Sequence, residues 1–157
     1  VMTHRLAPSP STSERTAVQA ATRDAVQALL TFSPQESEAE KAAVQAHLAG
    51  RLAADYRISG PDAVMGGVAA AGATSTARVV GVGVADYGES TARVLVFIDQ
   101  DLTLPASTDT RGGTPTDGSD EGSVKNPATP TVRWASMTRV DENWRLADLS
   151  TVGGVAR

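Results

Sequence analysis

Cysteine is absent from the 157-residue chain. No disulfide framework, thiolate zinc site or thiol nucleophile can therefore exist in it. Aromatic residues amount to 4%, so a tryptophan in "TRVDENWRLADL" (138–149), close to the end of the chain, calls for a structural reason. Basic charge is also scarce. A net charge of −4 and a pI near 5.1 argue against a nucleic-acid partner, which would require a basic patch to displace phosphate counterions. Long hydrophobic runs are missing as well: the longest small-apolar stretch, "AVMGGVAAAGA" (63–73), is too short and too glycine-broken to span a bilayer. No signal peptide is visible. The chain begins with Val1 rather than Met, and the expectation is that an N-terminal piece has been removed.

What is present describes a globular chain of single-domain length, 41% apolar and 20% charged. Residues 1–13, with two prolines and several Ser/Thr, read as a flexible tail. Ser11-x-x-Glu14 has the form of a capping box. Val18, Ala21, Ala25, Ala28 and Leu29 then recur at helical spacing up to Leu30. Pro34 ends that helix, because the residue before a proline is pushed out of the helical region. Ser37-x-x-Glu40 opens a second predicted helix over 36–56, with Val44, His47, Leu48, Leu52 and Tyr56 as its stripe. A short third helix is predicted at 62–71.

From Thr74 the period changes to two. "TARVVGVGVAD" and "TARVLVFIDQDL" form one predicted hairpin around Tyr87-Gly88, and "TVRWASMTRV" and "WRLADLSTV" form a second. Between the hairpins, residues 105–130 carry four Pro and four Gly with no large aliphatic beyond Val124. That composition cannot offset its ordering entropy, so a disordered excursion is expected. The order α-α-α-β-β-loop-β-β predicts an α+β domain, with N-terminal helices packed on a curved antiparallel sheet of about four strands.

Both faces of the first hairpin are apolar. If Asp86 faces Glu89, Val80 lies opposite Leu95, Val82 opposite Arg93 and Gly81 opposite Val94. Val80, Val82, Leu95 and Phe97 then share one face, with Arg78 and Arg93 at its edges, and the glycine-containing face lets helices dock closely. The exposed face (Val80, Val82, Leu95, Phe97, Arg93) is the candidate partner or self-association surface. A loop or terminal segment covering it is the plainer alternative. In the last hairpin, Val140 opposite Trp144 would put Arg133, Arg139 and Arg145 on one face beside Ala135, Met137 and Leu149. Arginine stems covering a half-exposed sheet explain that face, and an acidic partner patch is the alternative.

Chemical candidates are weak. His47 lies on an apolar helical stripe and has no carboxylate to orient it, Asp55 being eight residues farther along. "DGSDEG" (117–122) imitates the start of a calcium loop, but Ala128 stands where the bidentate glutamate should be. "GVGVAD" (81–86) lacks the third glycine of a dinucleotide loop and lies inside a strand. No G-x-S-x-G, H-E-x-x-H or phosphate loop occurs. No catalytic residue, cofactor or metal site is therefore expected.

The strings "LLTFSP", "HLAGRLAADY", "ARVVGVGVADYGESTARVLVFIDQDL" and "MTRVDENWRLADLSTV", in this order over most of 14–153, resemble the Mce-associated membrane proteins. The shared motifs are soft: Leu48, Gly50 and Tyr56, the "LVFIDQ" strand, and the ending with Arg139, Val140 and Trp144. The resemblance implies a transmembrane helix before the domain, missing here, and an extracytoplasmic NTF2-like cone over 14–157 on the outer side of the cell membrane. It further implies a non-catalytic accessory role in an Mce-type lipid import system, with Mce transporter subunits or related accessory proteins as partners. In such a cone Trp144 would cap the core. Two other readings stay open: a small-molecule (lipid) binder or enzyme using the cone cavity, and the periplasmic part of a type IV secretion component.

Overall fold

The computed structural model describes residues 11–105, 124–125 and 128–152. Both capping boxes form. In each, the serine hydroxyl accepts from the backbone N–H three residues on, and that residue's carboxylate accepts from the serine N–H (2.8 Å at Ser11, 2.6 Å at Ser37). Helix α1 (Thr12–Leu30) buries Val18, Thr22, Ala25, Val26, Leu29 and Leu30, a continuous apolar stripe at helical spacing. Ser11 and the turn that follows belong to this helix rather than to a tail. Residues 1–10 lie outside the described residues.

The predicted helix over 36–56 is two helices, α2 (Glu38–Gln45) and α3 (Gly50–Ser59). The break has a tertiary cause. The chain leaves the helix to hydrogen-bond alongside the last strand, with Leu146 N–H donating to the His47 carbonyl at 2.8 Å and Ala49 N–H donating to the Leu146 carbonyl at 2.9 Å. Gly50, at φ +59°, re-enters the helix through a conformation that disfavours a side chain. The third predicted helix shrinks to one turn, α4 (Asp62–Met65).

Strands β1 (Thr74–Tyr87), β2 (Thr91–Leu104), β4 (Thr129–Val140) and β5 (Asn143–Thr151) form an antiparallel sheet in that spatial order. The two-residue β3 (Val124–Lys125) pairs with the end of β2. The predicted excursion is therefore shorter than 105–130 at its C-terminal side: β3 and the start of β4 belong to the sheet. Residues 106–123, including the calcium-like 117–122, lie outside the described residues. The helices cover one face. Leu29, Leu30, Leu48, Val94, Val96, Ile98, Met137 and Leu146 are fully buried between them and the sheet, so the expected helix-on-sheet α+β architecture stands.

Exposed sheet edges invite aggregation, and here both are dressed by the helical half. Beside β1, Phe32 exchanges backbone bonds with Ser75, while Thr31 Oγ1 and Gln27 Oε1 accept from the N–H groups of Ala77 (3.2 Å) and Val79 (3.0 Å). Beside β5, the 47–49 segment does the same work.

The register of the first hairpin differs from the expected one. Two β-bulges, between Val79 and Gly81 and between Val84 and Asp86, each insert a residue into β1. Gly81 therefore pairs with Phe97, Val82 with Val96, Gly83 with Leu95 and Asp86 with Arg93. Because successive side chains alternate faces, an odd offset moves a residue to the opposite face.

Candidate partner surface

The bulges determine which side chains meet on the uncovered face of the sheet. Val80 stays outside at 53% exposure, and Phe97 is 42% exposed. Leu95 is half-buried, and Arg93 is exposed. Val82 is a correction: opposite Val96, it packs against the core on the helix-covered face. Gly81 and Gly83 are corrected the other way. They lie on the uncovered face, where Phe97 rests over Gly81: a Cβ added there would come 3.2 Å from Phe97 Cδ2. The helices thus cover Val82, Val94, Val96 and Ile98 and not the glycines.

Strand β4 extends the surface by two residues that sequence reasoning did not include. Phe97 pairs with Val132 and Leu95 with Trp134. The Arg93 guanidinium lies 4.1 Å from the Trp134 ring centroid, a distance at which the ring face attracts a cation. An apolar belt of Val80, Phe97, Val132, Leu95 and Trp134 thus crosses three strands. It is bounded on one side by the Arg78–Asp99 pair at 3.6 Å and on the other by Arg93, Ser136 and Asp148, which cross-strand pairing places in line. Alternation in β4 could have signalled Trp134 and Val132, but only once the register was known.

The three arginines of the last hairpin do not share a face. Arg139, not Val140, lies opposite Trp144, and Arg145 pairs with Thr138 on the uncovered face. Arg133 and Arg139 lie on the covered side, in line with Met137 and Ala135. Arg139 stacks over Trp144 at 4.7 Å and donates to the Tyr87 hydroxyl at 3.3 Å, and the Tyr87 and Trp144 rings are 5.8 Å apart. Trp144, 8% exposed, is a packing residue that closes this end of the core. At the other end Arg133 faces Val96. Burial pulls its pKa down, and its Nε has no hydrogen-bond partner among the described residues.

His47 is half-buried between α2 and α3, and its backbone carbonyl, not its ring, holds β5. Among the described residues no cluster of His, Asp and Glu could hold a metal ion, and no helix is long and apolar enough to cross a membrane. The helix-covered face is filled largely by Leu29, Val94, Val96, Met137 and Leu146, with Ser75 and Gln100 buried beside them and hydrogen-bonded to each other at 2.8 Å.

Similar architectures exist among solved structures. An IcmL-like type IV secretion system protein from Legionella pneumophila superposes with a TM-score of 0.56 at 8% identity, over 96% of this chain and 99% of its own. A periplasmic fragment of TraM gives 0.55 at 10%, over 87% and 96%. A candidate aromatic ring hydroxylase from Novosphingobium aromaticivorans gives 0.54 at 12%, over 92% of both chains. The fold is the NTF2-like α+β cone. At these identities the likeness establishes the fold alone. No protein-family model and no curated protein sequence matches the chain.

Proposed function

We propose that this cone is a non-catalytic accessory domain on the extracytoplasmic side of a cell membrane. In this reading a single N-terminal helix anchors it, and it stabilises an Mce-type lipid import assembly by protein contacts. The observation that carries the reading is the apolar belt: among the described residues, helices and loops cover one face and both edges of the sheet, while Val80, Phe97, Leu95, Val132 and Trp134 lie on the other face. Aromatic and arginine side chains such as Trp134 and Arg93 are the types that dominate binding energy at protein interfaces. The TraM fragment and the IcmL-like protein support use of this fold in envelope assemblies, and the "LVFIDQ" and "MTRVDENWRLADLSTV" strings favour Mce systems among them.

The hydroxylase neighbour favours a second reading, an enzyme or small-molecule binder using the cone interior. Against it stands the packing of Leu29, Val94, Val96, Met137 and Leu146 over most of that interior, with its buried Ser75 and Gln100 hydrogen-bonded to each other at 2.8 Å, whereas catalysis would need titratable groups converging there.

Leu95→Glu tests the proposal. The variant is expected to keep the far-UV circular dichroism and melting temperature of the parent within a few degrees. It should lose co-purification with Mce subunits and any self-association seen by sedimentation. Retained association in a folded Leu95→Glu variant would remove the belt from the interface.

A further inference from the structure

A second surface, on the helical side of the domain, is built differently. The α1–α2 loop, the end of α3 and the 60–73 segment enclose a cleft of about 600 Å³. Its walls include Phe32 and Tyr56, each only 4% exposed, and its rim carries Pro34, Pro61 and Ile58, which is 85% exposed.

The cations of the cleft already have partners. Arg57 donates to the side-chain oxygen of Gln45 when that amide is turned toward it, and Lys41 pairs with Glu38 at 3.3 Å. One of its acids is likewise engaged: the Asp62 carboxylate accepts from the N–H groups of Gly67, Ala69 and Ala70 at 3.0, 2.8 and 2.8 Å. Two groups are left over. Tyr56, its side chain buried in the core, lines the cleft, and its hydroxyl has no hydrogen-bond partner among the described residues. The half-buried Glu36 carboxyl lies close enough to raise the phenol's pKa. Both leftover groups can accept hydrogen bonds.

We propose that this cleft receives an arginine or lysine side chain of a protein partner, its charged head between the Glu36 carboxylate and the Tyr56 oxygen and its aliphatic stem against Phe32 and the proline rim. The energetics agree. Burial and, secondarily, the Glu40 charge push the Glu36 pKa up, with Lys41 opposing them. A bound cation would favour the ionised carboxylate and so oppose the shift that burial causes. Burial, with Glu36, holds the phenol pKa at about 12, so the hydroxyl is neutral at any physiological pH. A bound guanidinium would also sit beside two aromatic rings that favour cations. Exposed Ile58 offers the apolar contact for the partner's adjoining residue. This inference concerns a surface other than the sheet belt and stands or falls separately from it.

The test is an NMR titration of backbone amides with a blocked tetrapeptide carrying one arginine, and with its citrulline analogue as the neutral control. Saturable shifts confined to 32–41 and 56–62 are expected for the arginine peptide. Affinity should fall at least tenfold for citrulline and for Glu36→Gln, fall severalfold for Tyr56→Phe, and rise with pH as Glu36 ionises. Neither substitution removes packing volume, so both variants should fold. Equal binding of the citrulline peptide, undiminished binding by Glu36→Gln, or shifts spread over all surface acids would each overturn the proposal.

Discussion

The two faces of this sheet are built from the same strands and differ in what each residue can reach. On the helix side, Val94, Val96, Ile98, Met137 and Leu146 are at most 1% exposed. On the other side, residues one step along the same strands, Leu95, Phe97 and Trp134, stay partly in solvent. Hydrophobicity alone therefore does not mark the core: β2 reads as an unbroken apolar run, "VLVFI", because it is apolar on both faces. A strand buried on both sides would look the same. What distinguishes the faces is the supply of helices, and α1 and α3 contribute one apolar stripe each, enough to cover one side. Among the described residues, the uncovered face keeps its hydrophobic side chains without a covering element, and that is the ground for proposing a partner there.

The comparison breaks most visibly at its two tryptophans. Trp144→Ala removes a ring from the covered face and is expected to destabilise the domain by about 3–5 kcal/mol, measured by denaturant unfolding. Trp134→Ala, on the open face, loses partial burial and the Arg93 stack, and should cost about 1 kcal/mol in the isolated domain. Equal costs at the two sites would erase the distinction between the faces.

The glycines sharpen the same contrast at smaller amplitude. Gly83 has open space where a Cβ would go, so Gly83→Ala should stabilise the strand by about 0.5–1 kcal/mol through reduced unfolded-state entropy. At Gly81 the new methyl would press on Phe97, and the gain there should be smaller or reversed. A thermal-melt comparison of the two variants reads directly whether the Phe97 ring rests on Gly81.

Features whose causes are local were legible in the residues. Both capping boxes, the end of α1 before Pro34, the start of β1 near Thr74 and the burial of Val18, Leu29, Leu52 and Tyr56 follow from interactions spanning three or four positions. The candidate surface was legible only in part. Val80, Leu95, Phe97 and Arg93 lie on the open face as expected, while Val82 does not and Trp134 and Val132 went unrecognised. The reason is the assumption of an uninterrupted ladder. A bulge carries no strong local signal, and each one shifts every cross-strand pair beyond it.

From residues alone, the chain's composition determined the helical half, the four long strands, the absence of thiol chemistry and the lack of any complete catalytic motif. These depend on side-chain type and on periods of 3.6 and 2, which are properties of short segments. Tertiary structure decided the rest. It split the second helix at 46–49, because the backbone there satisfies the edge of β5. It placed the bulges in β1, and it chose which of two equally apolar faces would be covered. No short segment could encode that choice, since each face of the hairpin alone satisfies the same alternation and only the docking of α1 across the strands breaks the tie.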